Sequence, residues 1–89
     1  MIGLIKRYVK YQLLNVLKDR ILRHKEKQTK FIELKLLWKQ KGPKTKNLVK
    51  IGEFEKAKKG YIKKYEKNYQ LYYTRENELK EVIKIIEML

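Results

Sequence analysis

The sequence predicts an all-α fold, a long antiparallel two-helix hairpin that is extended rather than globular. Three observations carry the prediction. From Leu4 to Lys41 there is no glycine or proline, and strong helix formers dominate. The only proline, Pro43, stands next to Gly42 near mid-chain, where a helix must stop. Beyond Gly52 an aromatic and aliphatic stripe resumes at helical spacing. The expected organisation is a single helical domain over 1–89, with a helix over about 3–41, a basic connection over 42–52 and a helix over about 53–88.

In the first helix, steps of about 100° per residue place Ile2, Ile5, Val9, Leu13 and Val16 on one face. Phe31, Leu34 and Trp38 return to that face, and Arg20, His24 and Lys27 fill the gap between them. A continuous helix is expected because no breaker residue is present, with a break between His24 and Thr29 as the alternative. At its end, Gly42 suits a left-handed C′ position, and Lys39 and Lys41 suit the negative end of the helix dipole.

Leu48, Val49 and Ile51 in the connection could form a short extended piece, but no partner strand is found for it. The second helix is expected to start near Glu53, with Glu53 and Glu55 at its positive end. Phe54, Tyr61, Tyr65, Tyr69, Tyr72, Leu79, Ile83 and Ile86 lie within about a third of its circumference. Lys58 and Glu76 interrupt the stripe, and Gly60 lies opposite. A cap at Thr74 opening a separate last helix is the alternative.

Folding the chain at the connection pairs positions whose numbers total about 95 or 96. Val9 then meets Ile86, Leu13 meets Ile83, Val16 meets Leu79 and Phe31 meets Tyr65. In the polar gap, Arg20 opposes Glu76, with His24 near Tyr72 and Lys27 near Tyr69. At about 1.5 Å rise per residue the hairpin should be roughly 50 Å long. Leu14, Leu17, Ile21, Leu22, Ile32, Leu36 and Leu37 fall off the first stripe, and Leu71, Val82, Ile85 and Leu89 off the second. So much uncovered apolar surface calls for a protein partner or self-association.

Charge indicates the other partner. Twenty-four basic residues against ten acidic give +14 over 89 residues, which opposes compaction and favours a polyanion. Nucleic acid is the first choice and an anionic membrane surface the second. A 43% hydrophobic content argues against a disordered basic tail. Met1 to Lys50 carries fifteen basic and three acidic residues, a net of +12, whereas Ile51 to Leu89 carries nine and seven.

The candidate RNA-binding residues are therefore Lys39, Lys41, Lys44, Lys46 and Lys50 at the tip, and Lys56, Lys59, Lys63 and Lys64 beside it. Arg7 and Lys10 join them from the first helix. Twenty of the twenty-four basic residues are lysine, a point charge suited to phosphates and shape rather than to specifying bases. Tyr61, Tyr65, Tyr69 and Tyr72 read as the helix seam, and Tyr8 and Tyr73 as better placed to stack on bases. Trp38 reads as a packing anchor near the tip.

No reaction chemistry is legible. There is no cysteine, and His24 alone can build neither a zinc site nor a triad. No glycine-rich phosphate loop is present, so a non-enzyme without metal or cofactor is expected. No apolar run is long enough for a membrane span. The first eighteen residues, with four basic side chains and no acid, are like an amphipathic transit peptide but are read as part of the fold.

Leu71-Tyr72-Tyr73-Thr74-Arg75 resembles the Leu-Tyr-Arg signature of small mitochondrial accessory proteins, without its contiguous tripeptide. The basic two-helix outline is similar to that of a ribosomal protein family. The expected function is a non-catalytic structural component of a ribonucleoprotein, a ribosomal or mitoribosomal protein contacting rRNA phosphates and neighbouring proteins. Its place would be the mitochondrial matrix or the cytoplasm. The alternative is a non-catalytic accessory subunit of a mitochondrial membrane complex, with its basic amphipathic helix on anionic lipid.

Overall fold

The computed structural model describes residues 2–89. They form two helices, α1 (Ile2–Gln40) and α2 (Leu48–Met88), packed along each other as an all-α hairpin. The rod measures 75 × 15 × 12 Å, longer than expected. Its helices have 39 and 41 residues, and the connection adds to the length. Neither helix breaks: α1 runs through His24–Thr29 and α2 through Thr74.

α1 ends with a tightened turn, the Lys41 amide donating to the Trp38 carbonyl at 3.3 Å. Among the described residues no glycine has positive φ, so Gly42 does not adopt the left-handed cap conformation expected of it. Pro43 itself bars further helix, lacking an amide hydrogen and restricting the residue before it. The connection is 41–47, shorter than the expected 42–52, because α2 begins at Leu48 rather than near Glu53. Asn47 explains the early start. Its Oδ1 accepts from the Val49 and Lys50 amides at 3.0 and 3.3 Å, and its own amide donates to Thr45 Oγ1 at 3.2 Å. This satisfies two orphan donors of the first turn. Leu48, Val49 and Ile51 are thus helical, and Gly52 lies inside α2.

The contact between the helices is narrow and spaced in sevens. On α1 the buried and half-buried positions are Lys10, Leu14, Leu17, Ile21, His24, Gln28, Phe31, Lys35 and Trp38, with Leu34 at the edge. On α2 they include Lys58, Ile62, Tyr65, Tyr69, Tyr72, Glu76, Leu79, Ile83 and Ile86. Alternating steps of four and three residues are the mark of a left-handed coiled coil.

This spacing corrects the first half of α1. Val9, Leu13 and Val16, expected on the seam, are exposed, as are Ile2 and Ile5; Leu14, Leu17 and Ile21, expected off it, are in the seam. The reason is supercoiling. A straight helix drifts about 20° per heptad from a 3.5-residue seam, so four heptads from Trp38 accumulate roughly 80°. That is close to the step between neighbouring residues, and the stripe slips by one position.

Register is corrected as well. His24 meets Tyr72 and Phe31 meets Tyr65 as expected, the first pair tilted at 5.6 Å and the second stacked at 6.1 Å between ring centroids. Arg20 does not meet Glu76. That carboxylate instead faces Gln28 and Lys25, while Arg20 and Lys27 are exposed. Cross-helix pairs have numbers totalling from 96 to 104, against the expected 95 or 96, so the α2 partner of a given α1 residue lies up to about two turns further along and the hairpin is centred near residue 50.

Candidate nucleic-acid interface

The tip is stiffened from within by aromatic rings. Trp38 and Tyr61 stack at 4.5 Å, Tyr61 and Tyr65 at 6.3 Å, Tyr65 and Phe31 at 6.1 Å, Phe31 and Tyr72 at 5.8 Å. His24 continues the ladder beyond Tyr72. Lys41 Nζ lies 4.1 Å over the Trp38 ring at one end, and the Arg75 guanidinium 5.4 Å over Tyr72 towards the other. Tyr65, Tyr69 and Tyr72 are half-buried in the seam as expected, whereas Tyr61, also expected there, is exposed at its edge and covers Trp38. Tyr73 is half-exposed but stacks on Tyr69 at 6.1 Å, and Tyr8 is open near the chain termini, far from the tip.

One lysine of the tip is a structural group. Lys58, half-buried, reaches across from α2 and donates from Nζ to the Lys41 carbonyl at 2.9 Å. It places a positive charge at the C-terminal end of α1, where unpaired carbonyls collect negative partial charge.

The expected site residues fall into two groups. Lys39, Lys41, Lys44, Lys46, Lys50, Lys56, Lys59, Lys63 and Lys64 are all exposed around the tip and the adjoining turns. Arg7 and Lys10 lie at the opposite end of the rod, and Lys10 Nζ donates to the Glu87 carbonyl at 3.3 Å. They do not share a surface with the tip. Neighbouring residues of a helix project about 100° apart, so Lys63 and Lys64 face different ways and the charge wraps the tip.

One flank of this end holds a shallow groove. Phe31, Ile32, Leu36, Tyr65 and Tyr69 form its apolar floor, and Lys35, Lys39, Lys63 and Lys67 rim it. Lys35 was not among the expected site residues. It follows Leu34 within an apolar run, and only the partner helix reveals its setting. Its Nζ bonds the Glu66 carboxylate at 2.8 Å. The hydrogen bond from Lys35 and then its charge hold the Glu66 carboxyl below its ordinary value, against an opposing effect of desolvation, and the charge of Lys39 adds the least. The Lys35 charge is paired with Glu66, which leaves Lys39, Lys63 and Lys67 as the other cations on the rim of the groove.

Charge is also uneven along the rod. Residues 25–74, the tip-side length, carry fifteen basic and five acidic side chains, a net of +10. Residues 1–24 and 75–89, which pair towards the other end, carry nine and five, a net of +4. Among the described residues, no helix is long and apolar enough to cross a membrane. Comparison with protein-family models, with curated proteins and with solved structures found no match.

Proposed function

We propose that this chain is a non-catalytic RNA-binding component of a ribonucleoprotein, a ribosomal or mitoribosomal protein, with the hairpin tip as its RNA-contacting end. The observation that carries the reading is the +10 gathered on the tip-side length of a rod stiffened by stacked rings. A narrow rigid rod with lysines on all sides can enter a crevice between RNA segments and meet phosphates in several directions. Its lysines act as point charges, so they favour shape and backbone over base identity.

The test is fluorescence anisotropy with structured and single-stranded RNA across a salt series. Affinity is expected to fall steeply with salt. Charge reversal of Lys41, Lys44 and Lys46 should reduce the slope of log affinity against log salt by about 2 to 3, at roughly 0.7–0.9 per phosphate contact. Reversal that leaves RNA binding intact while abolishing binding to anionic vesicles would put lipid in the place of RNA. Unchanged binding to both would remove the tip from any polyanion site.

A further inference from the structure

At the end of the hairpin opposite the tip, the described residues expose a broad apolar surface. Ile2, Ile5, Val9, Leu13 and Val16 line one side of α1, each between 44% and 75% exposed. The same side continues onto α2 through Val82, Ile85 and Leu89, exposed at 42%, 60% and 90%. Ile5, Val9, Leu13, Ile86 and Leu89 enclose a shared groove, so the two limbs form one surface.

The whole chain exposes 7632 Å². A folded monomer of 10.9 kDa is expected to expose about 5,600 Å². The excess of about 2,000 Å² combines the rod shape with the uncovered end, and a lasting dimer removes roughly 800 Å² or more per partner. Among the described residues only Leu17 and Ile83 are buried apolar side chains, so the isolated hairpin has almost no core to hold it. The surface and the missing core call for the same remedy.

Charge selects the occupant and its direction. This end, residues 1–24 with 75–89, has a net of +4, whereas the remaining tip-side length has +10. Two copies can meet here with little repulsion only if their tips point apart. We infer that two copies of this chain associate through this surface, overlapping at the ends opposite their tips, around a two-fold axis perpendicular to the rods. α1 then lies antiparallel on α1 and α2 on α2, closing a short four-helix bundle of self-complementary kind. The assembly is a longer rod with a basic tip at each end. This inference does not depend on what the tips bind.

Sedimentation equilibrium of the full chain, free of nucleic acid, tests it. The expected mass is about 22 kDa, twice 10.9 kDa, at tens of micromolar protein. Association should strengthen as salt screens the net charge, opposite to the salt dependence of RNA binding. The melting temperature should rise with protein concentration. A 10.9 kDa species at every salt concentration overturns the inference, including the case in which this face serves a different protein.

Orientation is read by cross-linking, since the chain has no cysteine of its own. A bis-maleimide should join Val9→Cys to its counterpart and leave Lys46→Cys unjoined. Joining at Lys46→Cys overturns the arrangement. Leu13→Asp with Ile85→Asp should bring the mass back to 10.9 kDa. The wild-type mass and the cross-links decide the matter even if that variant unfolds.

Discussion

Gln28 and Glu76, 48 positions apart in the sequence, meet inside the seam with Nε2 3.4 Å from Oε2. They are the two buried polar side chains among the described residues, at 8% and 5% exposure. Gln28 Nε2 also donates to the Tyr72 carbonyl at 3.4 Å. The other carboxylate oxygen, Oε1, has no hydrogen-bond partner; Lys25 and Lys80 Nζ stand 3.7 and 3.9 Å away. A polar pair within an apolar seam is well suited to specifying register, as a single buried asparagine does in coiled coils.

Removing one member should therefore hurt more than removing both. Gln28→Leu should destabilise by about 1–3 kcal/mol, because it leaves the buried carboxylate with fewer partners. Gln28→Leu with Glu76→Leu should recover most of that loss or exceed wild type. Urea denaturation followed by circular dichroism measures both. Additive losses in the double variant would mean the two side chains do not act as a pair.

The start of α2 gives a prediction of opposite signs. Asn47→Ala should lower stability by about 0.5–2 kcal/mol through the lost cap. Gly52→Ala should raise it by roughly 0.5–1 kcal/mol, because Gly52 is helical and an added Cβ meets nothing within 4 Å. A Gly52→Ala variant that is neutral or less stable would place the residue outside the helix. Amide exchange at Val49 and Lys50 should quicken in Asn47→Ala.

Trp38 is the only tryptophan, and it stacks on Tyr61 at 4.5 Å. Tyr61→Leu should cost about 0.5–1.5 kcal/mol beyond any lost area, and should shift the Trp38 emission to longer wavelength as water reaches the ring. An unchanged spectrum would show that the two rings are not stacked in solution.

Glu66 supplies the acid dependence. Its folded carboxyl titrates below its ordinary value of 4.5 through the bond to Lys35. The stabilisation is fully present above the ordinary value and is lost as pH falls through the lowered folded one. Wild type should thus exceed Glu66→Gln in stability at neutral pH, with the gap closing in acid. Thermal melts between neutral pH and about pH 3 test this, and a gap that widens in acid would contradict the assignment.

Much of the fold and part of the site were legible in the sequence. The uninterrupted run to Lys41, the stop at Gly42 and Pro43 and the tyrosine stripe of α2 gave the hairpin, because helix propensity and breakers act locally. The meeting of Phe31 with Tyr65 and of His24 with Tyr72 was legible too, since large rings at helical spacing tolerate small errors of phase. The lysines of the tip were legible because their exposure needs no partner.

The seam of α1 before His24 was decided by the tertiary structure alone. One helix by itself gives about 100° per residue, whereas winding around a second gives the seven-residue repeat that buries Leu14, Leu17 and Ile21 and turns Val9, Leu13 and Val16 outward. The same winding chose Gln28 as the partner of Glu76, assigned Lys58 to the end of α1 and Lys35 to Glu66, and separated Arg7 and Lys10 from the tip. Sequence determined the helices and the sign of the charge. Which faces meet is a property of two helices together, because supercoiling accumulates over the whole contact and no single stretch of chain records it.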